Sequence, residues 1–114
     1  MKEDFVSYDI AVKLRKKEFN IDTDFCYNQD GCIVRVGICP APQIHEVLKW
    51  LREEKKLYIE IWWLTQHTIK NLKGFQFVVT PICENPQRET DLELYCDYDT
   101  AAVKGIEYVI DNLI

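Results

Sequence analysis

Apolar and polar positions change rhythm twice between Cys39 and Leu64, in the stretch CPAPQIHEVLKWLREEKKLYIEIWWL. Ile44, Val47, Leu48 and Leu51 fall at i, i+3, i+4 and i+7, which predicts an amphipathic helix over residues 43–55. From Leu57 the period becomes two. Leu57, Ile59, Ile61 and Trp63 then share the inward face of a strand, and Tyr58, Glu60, Trp62 and Leu64 share the opposite face. Pro40 and Pro42 fix φ and hold the residues before them extended, so a strand arriving at Ile38 stops there and a helix can start just beyond. The pattern describes a helix packed on a sheet, which is an architecture and not an activity.

The remaining elements follow from the same two periods. Ser7 can cap a first helix running to about Glu18, with Ile10, Ala11 and Leu14 inward. Phe25–Asn28, Asp30-Gly31 and Cys32–Ile38 read as a hairpin, Asp-Gly supplying the positive φ of a tight turn. In that reading Cys32, Val34, Val36 and Ile38 face the core, as do Phe25 and Tyr27, while Cys26 faces away and is a poor disulfide partner for Cys32. TQHTIKNLKG is a turn-rich connection closing at Gly74, after which Phe75, Phe77 and Val79 alternate as a strand ended by Pro81. CENPQRETD reads as a surface loop, Leu92–Cys96 as a short strand, and Asp99 or Thr100 as the cap of a last helix. Its inward positions are Val103, Ile106, Val109 or Ile110, and Leu113, and mid-helix Gly105 implies a close neighbouring backbone.

Hairpins alternating with helices, and no βαβ unit, predict the α+β class. The expected fold is a two-layer sandwich in one domain over residues 1–114, in the order α-β-β-α-β-β-(β)-α. An antiparallel sheet of four or five strands carries three helices on one face and leaves the other open.

Composition narrows the class of protein without naming a task. With 47% apolar and 29% charged residues, 114 residues can bury a core unaided. No apolar run approaches a membrane span, and the start MKEDFVSYD carries acids where a signal peptide needs basic and then apolar residues. A cytoplasmic location is the expectation. The net charge of −5 lies in the second half: residues 1–57 hold ten basic and ten acidic residues, residues 58–114 four and nine. The lysines and arginines interleave with acids on helix faces, which argues against a nucleic-acid partner.

Candidate chemistry is thin. Five cysteines without a CxxC pair favour reduced, buried thiols over a disulfide framework or zinc ribbon. His45 and His67 lie at no ligand spacing, and a metal site from Cys39, His45 and Cys83 would lack paired close ligands. Neither GxGxxG, GxxxxGK[ST] nor GxSxG occurs. Glu89, Asp91, Glu93, Asp97 and Asp99 do not follow an EF-hand loop and read as solvated charges. No catalytic residue, metal or cofactor is therefore assigned.

SYDIAVKLRKKEF, YNQDG, APQIHEVLKWLREEKKLYIEI and YDTAAVKGIEYVIDNLI resemble, in that order and at similar spacing, a group of short proteins from gut Bacteroidetes and their phages or mobile elements. The match covers most of the chain, and the group carries no established activity. Relatives favour a threonine after the second proline and a glutamate-rich start to the last helix, where this chain has Gln43 and Ala101-Ala102. The resemblance implies a shared fold and a mobile-element origin, and transfers no functional residue.

The outward sheet face is the more informative feature. Tyr58, Trp62 and Leu64 on one strand, Val78 on the next and Ile33 on the first hairpin are expected on the side away from the helices. An apolar patch there marks a surface for a protein partner or for self-association. A non-enzymatic interaction or accessory module is the first expectation. The alternative is a small cysteine-dependent enzyme or redox-sensitive regulator using Cys26 or Cys39.

Overall fold

A computed structural model describes residues 5–19, 21–66 and 72–114, and for Gln66 and Leu72 the backbone alone. Among the described residues the chain is α+β, with three helices and two antiparallel sheets. Helix α1 spans Tyr8–Lys16 and starts where its cap predicts: Ser7 Oγ accepts the Ile10 N–H at 3.3 Å. Ile10, Ala11 and Leu14 form its buried stripe.

The first hairpin departs most from expectation. Strands β1 (Cys26–Tyr27) and β2 (Ile33–Val34) pair antiparallel around Gly31, whose φ is +78°. Asn28 builds the turn, its Oδ1 accepting the N–H groups of Asp30 and Cys32 at 2.9 and 3.0 Å. The predicted strand Cys32–Ile38 does not continue past Val34. The chain swings under β1 at Gly37, and β3 (Cys39–Pro40) pairs with the other edge of β1, giving the order β2-β1-β3. Gly37 permits that crossing, since a Cβ there would fall 2.5 Å from the Tyr27 carbonyl oxygen. The expected inward set is thereby undone: Cys32 is exposed, Val34 half-buried, Val36 91% and Ile38 50% exposed, and Cys39 is the buried residue. Tyr27 is buried as expected and donates its hydroxyl to the Val6 carbonyl.

Pro42, fully buried, stands one residue before the cap of helix α2 (Ile44–Glu54) and so outside its first turn, and its carbonyl accepts the Val6 N–H at 3.0 Å. The cap residue is Gln43, whose backbone N–H is taken by Glu46 Oε1 at 3.0 Å. Ile44, Val47, Trp50 and Leu51 are buried and Leu48 half-buried; the pattern had left out Trp50, whose indole meets the Phe19 ring at 5.1 Å. Lys55 closes the helix and Lys56, at φ +56°, turns the chain into the second sheet.

That sheet is one long hairpin, β4 (Leu57–Gln66) and β5 (Leu72–Pro81), paired through ten consecutive residues. Strand pairing extends into both ends of the expected connection at residues 65–74, and its middle, with His67, lies outside the described residues. Residues 82–88 form the expected exposed loop. Leu92–Cys96 is not a strand. The chain returns along the outer edge of β5 and touches it at Val79 with Glu89 and at Phe75 with Tyr95. Between those bridges five residues oppose three, and Leu92 sits at φ +65°, so the ladder bulges open instead of running through.

Helix α3 (Tyr98–Asn112) is capped by Asp97, not by Asp99 or Thr100: Asp97 Oδ1 accepts the Thr100 N–H at 2.7 Å. It lies across the hairpin with Ala101, Ala102, Gly105, Ile106, Val109 and Ile110 buried. A Cβ on Gly105 would come 3.0 Å from Ile59 Cγ2 and 3.1 Å from Phe77 Cβ, so the close neighbours are sheet side chains and not a backbone. Lys13 reaches Asp111 at 3.1 Å and so ties α1 to α3. One core of buried residues joins α1, the short sheet, α2, the inner face of the hairpin and α3.

Among the described residues the expected single sheet of four or five strands is therefore two sheets, because the break after Val34 puts β3 on β1 and leaves β4–β5 to pair with each other and, at two points, with the return segment.

Candidate interaction surface

Alternation along β4 divides its side chains as the period predicts. Ile59 is buried under α3, with Leu57 and Ile61 half-buried beside the core. On the other face Tyr58 is 42% and Trp62 37% exposed, and Leu64 is half-buried. Trp62 Nε1 donates to Glu60 Oε2 at 2.9 Å along the same face, and the Arg88 guanidinium lies 6.0 Å from the Trp62 ring centre. The structure thus brings Tyr58, Trp62 and Leu64 together.

It does not bring in the other two residues of the expected patch. Val78, opposite Glu60 in register, is 3% exposed. The chain leaving Pro81 folds back through Arg88, which lies over Trp62, and rejoins β5 at Glu89 opposite Val79, the residue next to Val78. Ile33 is 40% exposed but belongs to β2 in the other sheet.

Trp63 shows what period alone misses. Alternation places it on the helix side, yet it is 54% exposed. Its ring meets Phe75, its cross-strand partner, at 4.9 Å, and Phe75 meets half-exposed Tyr98 at 6.2 Å. This aromatic trio lies on the helix side of the hairpin, the face opposite Tyr58 and Trp62.

The backbone of β4 is the second unexpected feature. Phe75 and Val79 send their N–H groups away from β4, to Tyr95 and Glu89 at 2.9 and 2.8 Å. Even-numbered residues of β5 therefore bond to β4, and their partners there are Tyr58, Glu60, Trp62 and Leu64. Ile59, Ile61, Trp63 and Thr65 point their N–H and C=O groups outward, and among the described residues no strand pairs with that edge. Residues 57–66 contain no proline, glycine, lysine or bulge, the usual means of blunting an edge. A run of ten such residues was readable in the sequence; which edge stays open depended on the return segment.

The acids and thiols take ordinary roles. Asp91 accepts from the Tyr95 hydroxyl and from the Glu93 N–H, Glu89 accepts from the Tyr108 hydroxyl at 3.5 Å, and Asp97 caps α3. Burial, helped by the bond to Asp91, pushes the Tyr95 hydroxyl well above its usual range. Cys39 is buried and its thiol is raised by burial, the opposite of what a nucleophile needs. Cys26 is half-buried, Cys32, Cys83 and Cys96 are exposed, and all five are free. Cys39, His45 and Cys83 are not brought together as a ligand set, and among the described residues no three His, Cys, Asp or Glu side chains could hold a metal ion. A cleft of about 190 Å³ at the start of α2, lined by Asp24, Phe25, Gln43, His45 and Glu46, is smaller than the ~300–1,000 Å³ typical of small-molecule sites. No described helix is long and apolar enough to cross a membrane.

Comparison with protein-family models, curated proteins and solved structures gave no match.

Proposed function

We propose that this chain is a small non-enzymatic interaction module that presents β4 to a protein partner, with Tyr58, Trp62 and Leu64 as contact side chains. One observation carries the reading: the exposed aromatic strip and the unpaired backbone groups lie on the same strand. Backbone hydrogen bonds give such a contact affinity, and alternate side chains give it selectivity. Its action needs no cofactor or metal. A cytoplasmic site of action and a phage or mobile-element origin complete the proposal, the second resting on the family resemblance.

A photoreactive benzophenone amino acid in place of Tyr58 tests the reading in intact cells. Irradiation is expected to give discrete cross-linked bands, whereas the same group in place of Lys49, exposed on α2, gives none. Equal labelling from both positions, or none from either, rejects the proposal.

A further inference from the structure

We propose that the open edge of β4 is filled by β4 of a second copy of this chain, paired antiparallel about a twofold axis at Ile61. The inference rests on the interaction-module reading and adds the identity of the partner.

Hydrogen-bond direction limits the registers. Only odd-numbered residues of β4 aim N–H and C=O outward, so odd must face odd across the new pairing. An axis at Ile61 sets Ile61 against itself, Ile59 against Trp63, and Leu57 against Thr65 of the second copy. Those pairs exchange about ten N–H···O bonds, over a length of roughly 30 Å.

Charge selects among the registers that remain. Glu60 is the only charged side chain of β4. With the axis at Ile61, each Glu60 lies opposite Trp62 of the other copy, whose indole N–H already serves a Glu60 carboxylate at 2.9 Å within one chain. Shifting the axis to Glu60 sets the two carboxylates against each other, which is unfavourable. Shifting it to Trp62 moves Glu60 opposite Leu64, where it finds no donor side chain. The Ile61 register also sets Tyr58 beside Leu64 of the second copy on the same face, so the two aromatic strips lie side by side. A strand complementary to itself in one register needs no other partner to close its edge, and a twofold pair closes without leaving a further edge to grow.

The other edge of the hairpin shows that this chain has the means to close an edge internally. The return segment lies against β5, bulges at Leu92 and is bordered by Pro81 and Pro86. Nothing comparable protects β4 among the described residues.

Sedimentation equilibrium of the full chain across a hundredfold concentration range tests the proposal, with amide exchange at Ile59, Ile61 and Trp63 followed at both ends. A reversible monomer–dimer equilibrium is expected, with those amides protected at the high end only. Trp62→Glu sets a second carboxylate opposite each Glu60 and should weaken the dimer about tenfold or more. Trp62→Lys places an ammonium there and should hold the dimer within about threefold of the parent, a rescue that loss of aromatic area alone does not give. Thermal unfolding of each variant at monomeric concentration checks that the fold survives. A monomer throughout the range overturns self-pairing, and if position 58 still cross-links to a heavier, unrelated chain the module reading stands without it. A dimer weakened equally by Glu and Lys, or one whose β4 amides exchange freely, overturns the register.

Discussion

The long hairpin β4–β5 and the three-stranded sheet β2-β1-β3 are both antiparallel, but different devices hold them. Ten consecutive pairs fix the hairpin, and its inner face is pressed on α2 and α3, so its register follows from the alternation of large apolar side chains. The short sheet has two-residue strands that cannot specify a register by alternation. Single backbone positions fix it instead: Asn28 and Gly31 at the turn, Gly37 beneath Tyr27, and Pro40 on an edge where its missing N–H costs little. A sheet can thus be encoded by pattern or by punctuation, and the two should fail differently under mutation.

Deleting pattern should have the larger effect. Phe77→Ala removes a fully buried ring that packs against Gly105 and Tyr108, and should destabilise by about 3–5 kcal/mol in urea unfolding. A loss below about 1 kcal/mol would mean that the hairpin is not seated on α3. Punctuation should come next: Gly37→Ala drives a Cβ against the Tyr27 carbonyl and should remove about 1–3 kcal/mol, even though the position is exposed to solvent. If that variant matches the parent, the chain does not pass beneath β1.

The smaller effects sharpen where the helix layer ends. Trp63→Ser, in a strand position that alternation assigns to the core, should lose only the edge contact with Phe75, about 0.5–1.5 kcal/mol. The inward reading alone implies about 3–5 kcal/mol, so the melting curve separates the two. Smallest is a pH effect at Asp97. Hydrogen bonds from Thr100, its backbone N–H first, hold the Asp97 carboxyl below its usual range. A depressed carboxyl contributes stability that is present above its unfolded value near pH ~3.9 and fades as pH falls through the folded value. The parent should therefore lose more melting temperature than Asp97→Asn on acidification from neutral pH. Parallel curves would show that Asp97 does not cap α3.

These contrasts also show where the sequence was legible. Helical stripes, the Ser7 cap and the inner face of β4 follow from local chemistry, since Ile10, Leu14, Val47, Leu51 and Ile59 need only their own neighbours to be placed. The split into two sheets was not legible, because Cys32–Ile38 satisfies a strand pattern and only the clearance at Gly37 reveals the crossing. Val78 and Trp63 fail for a common reason. Alternation assigns a side of the sheet but does not say how far along the strand a helix or returning loop extends. The interaction surface was half legible for the same cause: Tyr58, Trp62 and Leu64 follow from period, while the open edge depends on Glu89 and Tyr95 occupying the opposite one.

The tie between Lys13 and Asp111 also bears on the order in which this molecule assembles. Gln66 and Leu72 meet across six positions of chain, so β4 and β5 can zip as soon as both exist, on a timescale of about 1–10 μs. Helix α1 must await a partner 98 residues downstream. On a ribosome adding roughly 5–20 residues per second, α1 would remain without its link to Asp111 for several seconds after it emerges. The slowest event in forming this fold should therefore be the final arrival of α3 over a hairpin and an N-terminal helix that were made long before it.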